Sequence, residues 1–261
     1  MIKLNLGRNC LRYLIRLYAI KEIYLPFYSC NTLWQACRKE ACKIKFYHIG
    51  RDFMPINKIP KEAYVLYINY FGMCNKICET LCQDYPNLII DNTQAFYSDC
   101  RGLASFNSLR KFFSVPNGAY LYINSKTNPN LNKDTSSIFP AKMKNNYLEF
   151  LKNELFLDKQ EVMFISDKVS EIMKTIDFEH DKTERLKNFW DYAEKYGKVN
   201  TITLTPSDKE IPYCYPLSTT NENVLTELKN YNYPLLSLWG EISKEFPEYK
   251  FVNNTVALPL I

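Results

Sequence analysis

Four short segments place polar, reactive side chains directly after apolar runs: Gly7-Arg8-Asn9, Asn69-Tyr70-Phe71-Gly72, Asp91-Asn92-Thr93-Gln94, and Ser105 through Lys111. In open α/β sheets ligands gather beyond the carboxyl ends of the strands, so these are the segments to inspect for chemistry. Gly7-Arg8-Asn9 stands at a helix start. There, unpaired backbone N–H groups and the helix dipole favour an anion, and glycine lets the backbone come close to it. Gly and Asn are also ordinary helix-capping residues, so the segment reads equally as a plain cap. Asp91 ends the apolar run Leu88-Ile89-Ile90. A carboxylate in that place either caps the next turn or meets a charged ligand group.

The elements that must position these residues follow from periodicity. Leu11, Leu14, Ile15 and Tyr18 fall at helical spacing, and Glu22 to Pro26 reads as a strand. A helix around Leu33, Ala36 and Cys37 leads to a strand at Lys43 to Tyr47. Tyr64 to Asn69, Asn87 to Asp91, Gly102 to Phe106 and Gly118 to Asn124 read as further strands, with a cysteine-lined helix after Asn69. Strands alternating with helices predict parallel pairing through helical crossovers. Ser125 to Ser137 is polar and reads as a linker. Helices are expected at Tyr147 to Phe156, Val162 to Ile176, Asp181 to Tyr196 and Glu222 to Asn230, and extended segments at Val199 to Leu204 and Thr255 to Leu258. The fold class is α/β, a mainly parallel sheet flanked by helices with a small C-terminal α/β domain. The expected units are 1–135, a helical region at 136–180, and 181–261.

Composition narrows the function. The net charge of +5 comes from 33 basic and 28 acidic residues spread without a basic block, which argues against nucleic acid and suits a small anion. No apolar run approaches the roughly 20 residues that span a bilayer, so no membrane partner is expected, and the compartment is read as cytoplasmic. The 9 cysteines are expected to be free thiols. Cys74, Cys78 and Cys82 recur every fourth residue. That spacing aligns sulfurs along one helix face instead of around a tetrahedral metal, so core packing is expected and metal is not.

Asp91-Asn92-Thr93-Gln94-Ala95-Phe96 resembles the Asp-x-x-Gln-Ala stretch of the DegT/DnrJ/StrS sugar aminotransferases, which carry pyridoxal 5'-phosphate. The likeness continues through Ser105-Phe106-Asn107-Ser108-Leu109-Arg110-Lys111 and Val115-Pro116-Asn117-Gly118-Ala119. Leu6-Gly7-Arg8-Asn9-Cys10-Leu11 is similar to that family's Ser-Gly-Thr-x-Ala-Leu phosphate turn, Pro26-Phe27-Tyr28-Ser29 to its Pro-x-x-Thr element, and Asn69 to Gly72 to its His-x-Tyr-Gly strand end. These marks span about residues 4 to 124, with a weaker likeness through Tyr215-Pro216-Leu217, Trp239 and Leu258-Pro259.

The resemblance implies a pyridoxal-phosphate transferase of fold type I, shortened at both ends, that moves an amino group from an amino acid, with glutamate the expected donor, to a keto nucleotide-sugar for surface polysaccharide. It implies a homodimer. Lys111 is the expected Schiff-base amine and proton carrier, with Arg110 lowering its pKa. Asp91 is the expected partner of the pyridine nitrogen. Gln94 and Tyr28 are expected to flank the ring. Gly7 and Asn9 are expected to offer N–H groups to the phosphate, with Ser105 and Arg8 adding donors. One position departs from the family: counted from Ser105 or from Asn117-Gly118, its lysine falls on Arg110, and Lys111 is the next residue. An arginine cannot form the imine. The alternative is therefore a non-catalytic relative that binds a sugar nucleotide or a partner subunit.

Overall fold

The computed structural model describes residues 1–125, 127–135, 147–229, 238–239, 242–253 and 255–261. The chain opens with a short strand, β1 (Ile2–Leu4), and enters helix α1 (Gly7–Leu17), whose Cys10, Leu11, Leu14 and Ile15 face the core. Then come β2 (Glu22–Pro26), α2 (Asn31–Lys39), β3 (Lys43–Tyr47), β4 (Val65–Ile68), α3 (Asn75–Asp84), β5 (Leu88–Asp91), β6 (Ala104–Phe106), the single-turn α4 (Leu109–Phe112) and β7 (Ala119–Ile123). The sheet order is β1-β7-β6-β5-β4-β2-β3. Strands β3, β2, β4, β5 and β6 run parallel, and β7 is antiparallel to both of its neighbours. Strands β4 and β5 are buried along their whole length, as expected of central parallel strands covered on both faces.

The order reverses between β2 and β4, since β3 lies outside β2 while the later strands extend the other way. Such a switch point leaves a crevice at the carboxyl ends of the strands. Three buried tyrosines near the strand ends have satisfied hydroxyls. Tyr47 donates to the Leu66 carbonyl, Tyr67 to that of Phe53 and Tyr70 to that of Tyr28, each at 2.9 Å. Each such bond contributes about 1 kcal/mol net, and losing only the acceptor costs more because a phenol is left buried and dry.

The remaining elements are α5 (Tyr147–Lys159), α6 (Asp167–Lys174), α7 (Phe178–Tyr196), β8 (Cys214–Leu217), α8 (Glu222–Lys229), α9 (Tyr249–Val252) and β9 (Val256–Pro259). Strands β8 and β9 form a separate antiparallel pair, with Tyr215 opposite Leu258. Phe189 and Tyr196 of α7 pack with Tyr215 and Leu217 in the same apolar core as the large sheet.

Several expectations change. The helix read over Val162 to Ile176 is only α6, because the preceding residues run extended beside β1. There the Asn5 N–H donates to the Met163 carbonyl at 2.9 Å, and Ile165 N–H to Lys3 at 3.0 Å. Ser166 then caps α6 by accepting the Val169 N–H. The strand read over Val199 to Leu204 does not form. Asn200 and Thr201 are tied to Pro216 and Ser218 mainly through the Asn200 side chain, with one backbone bond from Thr201 to Ser218, and no ladder develops. The polar stretch after Asn124 is not free along its length, since Asn132 and Asp134 exchange backbone bonds with Phe164. Residues 126, 136–137 and 230 of the expected linker and helix lie outside the described residues. The cysteines are free thiols, with Cys74 and Cys78 buried and Cys82 half-buried. Among the described residues no helix is long and apolar enough to cross a membrane.

Candidate functional site

A cavity of about 120 Å³ opens in the crevice at the switch point. Its floor is built from strand ends: Ile68 closes β4, Asp91 closes β5 and Phe106 closes β6, while Cys30, Thr32 and Leu33 enter from the start of α2. Leu6, Gly7 and Arg8 come from the start of α1, Ser108, Arg110 and Lys111 from the start of α4, and Glu154 from α5. Trp239 completes the wall.

Asp91 and Lys111 meet around Thr93. The Asp91 carboxylate, 3% exposed, accepts the Thr93 backbone N–H at 2.8 Å, and the Lys111 ammonium donates to Thr93 Oγ1 at 3.1 Å. Successive helical residues diverge by about 100°, so on the single turn of α4 Arg110 and Lys111 aim in different directions. Lys111 turns to the strand ends. Arg110 turns outward and donates to Glu154 Oε1 at 2.6 Å.

The electrostatics follow from this packing. Burial pushes the Lys111 pKa below the usual lysine value and the Arg110 charge pushes the same way, while Asp91 opposes both. Burial raises the Asp91 pKa, against the pull of the Lys111 charge and the Thr93 hydrogen bonds. The crevice therefore holds an amine and a carboxylate whose proton affinities are drawn toward each other, the direction that favours proton exchange.

A second charge group rims the cavity. Arg8 lies 3.3 Å from Glu154, which also takes the Arg110 bond, and Arg8 pairs with Asp158. Burial alone would raise the Glu154 pKa, but hydrogen bonds and charge from Arg110 and Arg8 hold it below the usual carboxylate value. Two guanidiniums at the cavity rim are thus held by two resident carboxylates, Glu154 and Asp158.

Gly7 allows this convergence. A side chain there would meet Thr93 Cγ2 at 3.2 Å and the Asn107 carbonyl at 3.3 Å, so α1 can approach the loop after β5 only without one. Gly72 has φ of +80°, and a Cβ on it would lie 2.6 Å from the Gln94 carbonyl.

Of the residues singled out in the sequence, Gly7, Arg8, Asp91, Arg110 and Lys111 line this cavity. The others stand nearby. The Asn9 side chain donates to Asn5 Oδ1 and to the Glu161 carbonyl, and its own N–H is taken by Leu6. The Tyr28 ring stacks on Tyr70 at 5.8 Å and meets Trp239 edge-on at 4.6 Å, one layer behind the wall. Gln94 accepts the Phe71 N–H at 2.8 Å, fixing the turn that follows β4. Ser105 alternates with Phe106 along β6 and opens into a different cavity beside Cys100 and Tyr122. Sequence reasoning passed over Thr93 and Ser108 although both lie inside the quoted motifs. Glu154 carried no local signal, because it reaches the site from a helix far along the chain.

No protein-family model matches the chain, and no curated protein matches it in sequence. Solved structures do match in shape. A DegT DnrJ EryC1 StrS aminotransferase from Brucella abortus aligns over 99% of this chain and 76% of its own, at 11% identity and a TM-score of 0.60. NtdA from Bacillus subtilis, solved with bound cofactor PMP, aligns over 99% and 68% at 11% identity and a TM-score of 0.63. The sugar aminotransferase CalS13 from Micromonospora echinospora aligns over 99% and 82% at 11% identity and a TM-score of 0.57. With its mainly parallel seven-stranded sheet, flanking helices and small antiparallel pair, this chain has the fold of the DegT/DnrJ/EryC1/StrS aminotransferases.

Proposed function

We propose that the chain is a pyridoxal-phosphate-dependent aminotransferase that acts on a keto nucleotide-sugar, takes the amino group from an amino acid such as glutamate, and serves surface polysaccharide synthesis in the cytoplasm. The single observation that carries this reading is the meeting of Lys111 and Asp91 at the strand ends, joined through Thr93.

The residues present fit the cofactor. Asp91 is a buried carboxylate suited to a protonated ring nitrogen, and Lys111 is an amine whose lowered pKa leaves more of it unprotonated than an ordinary lysine. Gly7, Arg8 and Arg110 gather at a helix start where a phosphate monoester is favoured. When bound, the cofactor supplies an electrophilic carbonyl and an electron sink. This chain's residues would do the rest: Asp91 would hold a proton at the ring nitrogen, Lys111 would offer its amine and carry a proton, and the α1 start would orient the phosphate. Leu33, Ile68, Phe106 and Trp239 keep water from the reacting face.

A homodimer belongs to the same proposal. On α5, Leu148, Leu151 and Leu155 are exposed at 69%, 38% and 63% and recur at helical spacing, which suits burial against a second copy.

One observation favours a second reading, a non-catalytic binding protein on the same fold: Arg8 and Arg110 are already paired with Glu154 and Asp158. An absorbance titration separates the two. Added pyridoxal phosphate should give the long-wavelength band of a lysine-linked cofactor. A spectrum equal to the sum of protein and free cofactor would support the binding protein.

A further inference from the structure

We propose that Thr93 is the positioning residue that delivers Lys111 to its working place, which lets a lysine one residue beyond the usual position serve. This inference rests on the catalytic reading above and adds a residue to it. Thr93 is fixed on three sides. Its N–H is bound by Asp91 Oδ1 at 2.8 Å, its Oγ1 accepts from Lys111 Nζ at 3.1 Å, and its methyl stands against Gly7, where an added Cβ would meet it at 3.2 Å. The Thr93 side chain also favours the charged form of the Asp91 carboxylate, so one residue bears on both the amine and the acid.

The physical need is clear from α4. A lysine on a single-turn helix has a long, mobile stem, and without an acceptor its amine would sweep between this cavity and the one on its far side, about 170 Å³, lined by Phe112, Arg185 and Tyr213. The Lys111 ammonium lies 5.9 Å from the Tyr213 ring centre on that side. Thr93 holds it to the Asp91 side. The charged and titratable groups around the amine are Asp91 from β5, Arg110 from α4, Cys30 from the start of α2, Cys214 from β8, Tyr213 just before it, and Arg185 of α7 across the second cavity.

The test compares Thr93→Val, which keeps the shape and the methyl, with Thr93→Ser, which keeps the hydroxyl. One readout is the rate at which borohydride traps added pyridoxal phosphate on Lys111. The other, made without cofactor, is the pH profile of Lys111 acylation by acetic anhydride, read by peptide mass spectrometry. Thr93→Val should trap about tenfold more slowly, because the loss of positioning outweighs the larger unprotonated share of the amine. Its acylation midpoint should move to lower pH by about 0.5 to 1 pH unit, because the ammonium loses an acceptor. Thr93→Ser should stay near the parent in both. If Thr93→Val matches the parent in acylation, Thr93 only caps the turn after β5 and the proposal falls. A parent that traps nothing while the acylation midpoint still moves would sink the catalytic reading and leave the positioning role standing.

Discussion

Asp91 and Lys111 are each poor neighbours for a dry crevice, and they are tolerated there because each lowers the cost of the other's charge. Asp91→Asn keeps the size and the strand but removes the charge that would hold a proton on a ring nitrogen. Turnover should fall by about 10²-fold or more, with the thermal midpoint little changed, which steady-state assays and calorimetry check together. An unaltered rate would show that Asp91 serves only the turn. Arg110→Ala tests the neighbouring charge. The Arg110 cation lowers the Lys111 pKa, so its removal raises that pKa, and the pH at which the amine becomes reactive should move upward in an acylation profile. No movement would show that Arg110 serves Glu154 alone. At this scale the motifs around Asp91 and Lys111 were legible because they are contiguous in sequence. The placement of Ser105 and Tyr28 was not, since which face a side chain takes depends on strand alternation and on aromatic neighbours brought in from Tyr70 and Trp239.

Elements decide how open the anion place is. Helix α5 brings Glu154 between Arg8 and Arg110, so Glu154→Gln should bind inorganic phosphate about tenfold more tightly by calorimetric titration, the partners being freed from a charge-assisted bond. The same change has a stability sign. Two arginines hold the Glu154 pKa below the unfolded value, so its stabilising contribution is full above the usual carboxylate range and is lost as pH falls through the folded pKa. The parent should therefore exceed the Gln variant by about 1–2 kcal/mol at neutral pH, with the gap closing in acid. A gap independent of pH would mean that the glutamate is not ionised against the arginines. The bounds of β2 and β3 agreed with the pattern because each run has clear edges. Strand β1, 3 residues long, is too short for any period to register. The extended residues before α6 were misread because their apolar spacing suits a helix, while backbone pairing with Lys3 and Asn5 holds them straight. That pairing is tertiary and leaves no local trace.

The whole molecule draws its parallel sheet and its small antiparallel pair onto one core, so residues from both ends of the chain surround the crevice. The exposed leucines of α5 lie on the helix that also carries Glu154, so the proposed dimer would bear on the site. Light scattering should report a dimer, and Leu148→Lys with Leu155→Lys should shift it toward monomer. A parent that is monomeric at micromolar concentration would oppose the dimer. Alternation of helices and strands made the fold class legible over the first half, whereas assembly left no sequence pattern beyond an excess of aromatic and apolar residues. The central claim is that Lys111, and not the residue at the usual position, carries the amine chemistry. The most direct measurement is borohydride reduction of the protein with pyridoxal phosphate, followed by peptide mapping. The expected result is a stoichiometric adduct on Lys111. No adduct, or one on another lysine, together with an Arg110→Lys variant that acquires one at position 110, would contradict the claim and make this a binding protein on an enzyme's fold.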